Sequence, residues 1–269
     1  MKKILIRILL ILGILLVLGG IVFACLGIYK KATLDIPNPV ATIEVEDFGT
    51  IKVELYPDKA PNTVANFIRL ANRGFYNGSS FHRTVPDFVI QGGAKDGDTT
   101  ASPMLSDIMD NVEEDESYNI PGEFIANGYE DNNLKHEAGV ISMARSDYSS
   151  YGYTTEGYNS AGCQFFITTD DNTSLDGVYA AFGKVIEGMD IVEEISNVEV
   201  YYRDGDLKDG EEAPKDDDGN TIESDTPVDE PVITSISVET YGVDYGVPET
   251  VTPFDINSLF YQQYGQSLN

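Results

Sequence analysis

Histidine and cysteine, two residue types that often do chemistry in proteins, occur only twice each in this sequence and lie far apart. The two histidines, His82 and His136, have no second histidine or cysteine at the spacing of a zinc site. Asp216–Gly219 gathers carboxylates, but Pro214 stands where a calcium-binding loop would have its first ligand. The sequence contains no G-x-S-x-G motif and no Cys–His pairing, so it does not indicate a nucleophile. We therefore expect neither a metal site nor a cofactor.

Four segments combine an arginine, aromatic residues, amides and glycines at short spacing. They are Phe81–Gly93 (FHRTVPDFVIQGG), Gly139–Arg145 (GVISMAR), Gln164–Ile167 (QFFI) and Leu175–Val185 (LDGVYAAFGKV). In order and spacing these segments resemble the signature blocks of the cyclophilin-type peptidyl-prolyl cis-trans isomerases. The resemblance runs from Val40 to Ile195 and resumes from Pro231 to Gly246.

The resemblance implies a mainly β fold, a closed eight-stranded antiparallel barrel capped by two helices, with a proline-binding groove on one outer face. Matched residue by residue, it implies Arg83 as the catalytic group, acting with Phe88 and Gln91. The substrate-binding residues that it implies are Val89, Ala144, Arg145, Gln164, Phe166, Leu175 and Tyr179.

The implied reaction needs no nucleophile or metal, because no covalent bond is made. Rotation about an X–Pro bond must overcome amide resonance, a barrier of about 18–20 kcal/mol. In the twisted state the proline nitrogen becomes pyramidal and gains a lone pair. A permanently charged guanidinium such as that of Arg83 stabilises this state more than the planar one, while an apolar pocket holds the ring.

Strand alternation separates the aromatic residues expected in the core from those of the groove. It assigns Phe81, Phe165 and Phe182 to the core, together with Phe67 from a helix. Phe88 and Phe166 then belong to the groove, with burial in the core as the alternative. We expect His82 to be structural.

The sequence departs from the family pattern along one wall of the groove. Ser174 stands where many relatives carry an aromatic residue, usually tryptophan, and Tyr179 stands where they carry histidine. Val89 replaces a frequent methionine. We expect a shallow pocket with weak affinity for cyclosporin. A second function therefore stays open, a binding module that holds proline-containing chains without turnover.

The elements that position these residues follow from the periodicity of apolar side chains. Helical spacing is found from Asp58 to Asn72, with Asn62 or Asp58 as N-cap, and from Met189 to Ile195. Alternation or short apolar runs predict eight strands: 41–46, 50–55, 81–84, 88–92, 139–144, 164–168, 180–185 and 232–238.

The remaining segments divide the chain. We expect a linker at 31–38, an isomerase domain at 39–246 and a C-terminal tail at 247–269. Residues 203–231 carry twelve acidic residues against three basic ones and are interpreted as a solvated, disordered insertion. Two enlarged loops, 94–117 and the tyrosine-rich 147–158, flank the groove and are candidates for contacting extended client chains.

The N-terminal residues 1–30 are interpreted as a membrane anchor or signal. The uncharged run 8–29 is about 33 Å long as a helix, enough to cross a bilayer core of about 30 Å. Lys2, Lys3 and Arg7 outweigh Lys30 and Lys31, which favours a single pass with the catalytic domain outside the cytoplasm. The alternatives are a lipoprotein anchored at the cysteine of residue 25, or secretion after cleavage.

Composition limits the partners. A net charge of -28 argues against nucleic acid as a partner, because phosphate binding needs clustered lysine and arginine. The two cysteines, one of them in the apolar run, exclude a disulfide framework. We expect a monomer that binds proline-containing, unfolded or extended polypeptides and contacts the membrane through its N-terminal segment.

Overall fold

Alternating apolar residues form the strands of one antiparallel sheet. The computed structural model describes residues 36–208, 211–216, 219–256 and 258, and its sheet has eight strands. All eight predicted strands are confirmed, with shifted ends. They are β1 Val40–Val45, β2 Gly49–Leu55, β3 Arg83–Val85, β4 Val89–Gly92, β5 Val140–Met143, β6 Phe165–Thr168, β7 Ala181–Glu187 and β8 Ile233–Glu239.

The strands follow the order β3-β4-β6-β5-β7-β2-β1-β8 across the sheet. β1 pairs with β2 on one side and with β8 on the other, so the first and last strands are neighbours. The predicted closure is partial, because β3 and β8 are the two edges of the sheet. The segment before β3 joins them: Ser80 forms a bridge with Val232, and Gly78 donates its N–H to Ile233 O of β8 at 2.8 Å.

Two helices of eight or more residues lie in the described ranges, as predicted: α1 Pro61–Asn72 and α4 Met189–Ser196. The predicted N-cap of α1 is wrong, because Ala60 occupies that position. The carboxylate of Glu123 caps the helix instead, accepting bonds from the backbone N–H groups of Asn62 (3.0 Å) and Thr63 (2.7 Å). Shorter helices are α2 Leu105–Ile108 and α3 Thr154–Tyr158, with 3-10 turns at Ile125–Asn127, Ser149–Tyr151 and Thr173–Leu175.

Aromatic rings fill the space between the sheet and α1. Phe67 of α1 packs against Phe165 and Phe182, with ring centroids 5.6 and 5.2 Å apart. Phe81 contacts Phe165 from the other side, and all four side chains are fully buried. The predicted core phenylalanines are therefore confirmed, which fixes the opposite strand face as the outer one.

The acidic insertion and the first part of the tail are hydrogen-bonded to the domain. In the insertion, Asp225 donates its backbone N–H to Tyr202 O at 2.9 Å, so the expected disorder does not apply there. Glu249 and Val251 of the tail bond to Asn62 and Asn119. No helix among the described residues is long and apolar enough to span a membrane, and the predicted anchor at residues 1–30 lies outside them.

Candidate active site

Cross-strand pairing places the predicted site residues in one row on the outer face of the sheet. Arg83 of β3 lies opposite Gln91 of β4, and Gln91 lies opposite Phe166 of β6. Phe166 in turn lies opposite Ser142 of β5. Directly opposed residues share a face, so these four side chains project away from the core that holds Phe165.

A second, smaller apolar cluster lies on this outer face. Val89, Phe166 and Leu175 are buried in it, at 3, 5 and 8% exposure, although they stand outside the main core. Three partly buried side chains pack around them: Phe88, Ala144 and Tyr179. The structure thus brings together six of the predicted residues, and their surface suits a pyrrolidine ring. We call these six residues the proline pocket.

Arg83 lies at the mouth of the proline pocket. Its guanidinium carbon is 5.9 Å from the centroid of the Phe88 ring, and the side chain is 38% exposed. Its Nη2 atom lies 3.8 Å from Oδ2 of Asp225, a residue that the sequence did not single out. A positive charge that is held beside an apolar pocket and remains open to solvent is the arrangement that the proposed rotation requires.

Two glutamines continue the row beyond Arg83. Nε2 of Gln91 donates to Oε1 of Gln164 at 3.0 Å, and Nε2 of Gln164 donates to the carbonyl of Thr99 at 2.8 Å. Thr99 belongs to the enlarged loop 94–117. The amides therefore link the catalytic strands to that loop and present polar groups beside the proline pocket.

Arg145 is held by three aromatic rings. Its guanidinium carbon lies 4.7 Å from the ring centroid of Tyr179, 5.0 Å from that of Tyr158 and 5.7 Å from that of Phe124. Nε donates to Val178 O at 2.9 Å and Nη1 to Ser146 O at 3.0 Å. The predicted contact of Arg145 with substrate stays a prediction, and the observed contacts show that this side chain packs against Tyr179.

A Ser–His–Asp arrangement lies behind the proline pocket. His136 Nε2 is 2.8 Å from Ser142 Oγ, and His136 Nδ1 is 3.3 Å from Asp176 Oδ1. The ring of His136 stacks on Phe166, with centroids 6.1 Å apart. Burial lowers the pKa of His136, against the opposing effect of Asp176. Ser142 is fully buried and cannot meet a substrate, so the arrangement supports Phe166 and does not form a hydrolase site.

His82, which precedes Arg83 in the chain, has the surroundings of a structural side chain. Ser174 lies where the sequence departs from the family pattern. Nδ1 of His82 is buried without a hydrogen-bond partner among the described residues, and burial lowers the pKa of this side chain. Ser174 is exposed, and its hydroxyl donates to Asn172 Oδ1 at 2.5 Å. No aromatic side chain stands at that position.

Comparisons with known proteins agree with this fold. Residues 40–226 match the family model of the cyclophilin type peptidyl-prolyl cis-trans isomerase/CLD. The chain therefore belongs to the cyclophilin-type peptidyl-prolyl cis-trans isomerase family, and it is an enzyme that isomerises X–Pro bonds.

Two bacterial relatives and one solved structure illustrate the similarity. Peptidyl-prolyl cis-trans isomerase B of Bacillus subtilis is 40% identical over 156 residues, which cover 58% of this chain and 90% of the relative. A peptidyl-prolyl cis-trans isomerase of Synechococcus elongatus is 36% identical over 159 residues, 58% of this chain and 88% of the relative. The crystal structure of a Cryptosporidium parvum cyclophilin-type isomerase, determined in the presence of the dipeptide Ala-Pro, covers 74% of this chain and 98% of its own, with a TM-score of 0.52 and 25% identity.

Sequence reasoning missed the residues that support the site from behind or from the side. His136 and Asp176 are 40 residues apart in the chain, and Arg83 and Asp225 are further apart still. No motif joins these pairs. Only the burial of an acidic residue within an otherwise exposed segment distinguishes Asp225, and burial is not visible in the sequence.

Proposed function

We propose that the chain isomerises X–Pro bonds in exported polypeptides at the outer face of a membrane and thereby assists their folding. The observation that carries the catalytic part is the position of Arg83, 5.9 Å from the Phe88 ring at the mouth of the proline pocket. The export and membrane part is supported by the uncharged run 8–29 and the basic residues before it.

In this proposal the substrate proline enters the apolar cluster and the preceding carbonyl swings. Val89, Phe166 and Leu175 bury the proline ring and hold it in place. The preceding carbonyl can then rotate without reorientation of the whole peptide chain. As the amide twists, its nitrogen becomes pyramidal and Arg83 donates toward the new lone pair. Gln91 and Gln164 bond to the backbone of the client. The C. parvum relative studied with Ala-Pro supports proline-containing peptides as the substrate class.

Replacement of Arg83 by alanine tests the catalytic assignment. We expect kcat/KM for a short X–Pro peptide to fall about 100-fold or more, the usual loss when a transition-state donor is removed. Exchange measured by NMR is the assay, because it also reports the affinity of the peptide, which should change little. The matched control is Arg73→Ala, since Arg73 is an exposed arginine that pairs with Asp110 and belongs neither to the proline pocket nor to the row of Arg83. An active Arg83→Ala variant would refute the assignment, and an equally inactive wild type would favour a binding module.

The location of the enzyme has its own test. We expect the full chain to stay with membranes after carbonate extraction and its domain to be digested by protease added outside the cell. Mass spectrometry of the mature N-terminus distinguishes an intact anchor from lipidation at the cysteine of residue 25 and from cleavage. We further propose a monomer, which light scattering of residues 36–269 would check.

A further inference from the structure

The acidic insertion reaches Arg83 through one buried carboxylate. The side chain of Asp225 is 3% exposed, although its segment is rich in solvated acidic residues. Its Oδ2 lies 3.8 Å from Nη2 of Arg83, and its Oδ1 lies 3.6 Å from Nη1 of Arg203. A charge without a partner is costly to bury, so the two guanidinium groups explain why a carboxylate is tolerated here.

Backbone contacts fix Asp225 relative to the strand that carries Arg83. Asp225 has a positive φ of 63° and donates its N–H to Tyr202 O at 2.9 Å. Its carbonyl accepts the N–H of Thr84 at 2.9 Å, and Arg203 Nη1 donates to the carbonyl of Thr84. Thr84 directly follows Arg83 on the edge strand β3. The insertion therefore bonds to both backbone polar groups of Thr84, the residue next to Arg83.

We propose that Asp225 is a positioning residue for Arg83, an inference that rests on Arg83 being the catalytic residue. The carboxylate holds Nη2, while Nε and Nη1 of Arg83 have no hydrogen bond or ion pair among the described residues. An unrestrained arginine loses about 2 kcal/mol of rotamer entropy when it is fixed. Asp225 fixes it before the substrate arrives, so that the N–H groups of Nε and Nη1 can face the twisted amide.

Asp225→Asn tests this role, because asparagine has the same size and tolerates a positive φ. We expect kcat/KM for a short X–Pro peptide to fall about tenfold, since misplacement of a catalytic group by a fraction of an ångström has effects of this order. The Kd of the peptide should stay within twofold, because the proline pocket is unchanged. The control is Glu212→Gln, which removes one charge from the same segment at an exposed position.

A double variant separates positioning from general stability. In the Arg83→Ala background, Asp225→Asn should lower kcat/KM no further, because it acts through Arg83. Full activity of Asp225→Asn, or an equal loss in both backgrounds, would overturn the proposal. An active Arg83→Ala variant would instead refute the catalytic assignment.

The wild-type enzyme provides a test that does not depend on the folding of a variant. We expect the Nε–H of Arg83 to give an NMR signal with a high order parameter in the free enzyme, as for a rigid side chain. A guanidinium that is rotationally averaged without substrate would overturn the proposal.

Discussion

Replacing Arg145 by alanine tests whether a cation holds one wall of the proline pocket. The guanidinium contacts three rings at 4.7–5.7 Å and two carbonyls at 2.9 and 3.0 Å. A cation–π contact contributes about 0.5–2 kcal/mol, depending on its desolvation, and a hydrogen bond contributes about 1 kcal/mol net. Because one group makes all five contacts, their energies do not add fully. We expect Arg145→Ala to cost about 3 kcal/mol of the free energy of unfolding.

The same change should weaken peptide binding without slowing rotation. The ring of Tyr179 packs edge-on against Phe166, with centroids 5.4 Å apart, and loses its cationic support in the variant. We expect the Kd of a proline peptide to rise about fivefold, or about 1 kcal/mol. The exchange rate of the bound peptide should remain near wild type, because Arg83 is untouched.

Urea unfolding, a thermal scan and NMR line shapes measure these effects. A loss of about 3 kcal/mol corresponds to a Tm lower by about 6–12 °C in a domain of this size. Arg145→Lys keeps the charge but loses the planar guanidinium, so its free energy of unfolding should lie between those of the wild type and Arg145→Ala. Arg73→Ala, which removes an exposed ion pair, should cost less than about 1 kcal/mol. Unchanged stability of Arg145→Ala, or a slower bound-state exchange at unchanged Kd, would refute the reasoning.

Three further predictions concern stability and specificity. Glu123→Ala should cost about 2–3 kcal/mol in urea unfolding, because one buried and one partly buried N–H donor at the start of α1 lose their acceptor; a loss below about 1 kcal/mol would contradict the capping role. Burial lowers the pKa of His136 and His82, so the unfolded chain binds more protons below its usual pKa near 6.5. The free energy of unfolding should therefore have its full value above about pH 7 and decrease as the pH falls below that value. The decrease should be less steep in His136→Asn. A wild-type free energy of unfolding that does not change over this pH range would contradict the prediction. Cyclosporin should inhibit the wild type only above micromolar concentrations, and Ser174→Trp should lower its inhibition constant about tenfold by supplying an aromatic wall.

The sequence predicts the strands and the pocket well, because both depend on local patterns. Alternation with a period of two separates Phe165 from Phe166, and the structure places the first in the core and the second in the proline pocket. Arg83 and Gln91 are eight positions apart in one motif, and a tight turn between β3 and β4 is enough to bring them opposite each other. For such residues the sequence already indicates which side chains lie together, and the structure adds the distances between them.

Residues that act across long loops could not be predicted in this way. The cap of α1 comes from Glu123, about sixty positions away, while nearer polar residues offered more obvious candidates. The burial of Asp225 could not be predicted, because the run of acidic residues around it indicates a solvated segment. Arg145 ends the segment that contains β5, yet its side chain packs against Tyr158 at the end of α3 and against Phe124. In each case tertiary packing decides what a local pattern leaves open.

The pairing of β1 with β8 has a consequence for how the enzyme is made. Val40–Val45 must wait for Ile233–Glu239 before its second edge is hydrogen-bonded. At a synthesis rate of about 5–20 residues per second, the ribosome needs about 10–40 s to add the intervening chain. During that interval the nascent domain exposes an unpaired edge, and Pro86, Pro103 and Pro121 are added within it. The sheet can be completed only after nearly the whole domain has left the ribosome, so the isomerase carries an unpaired strand edge until its synthesis is almost finished.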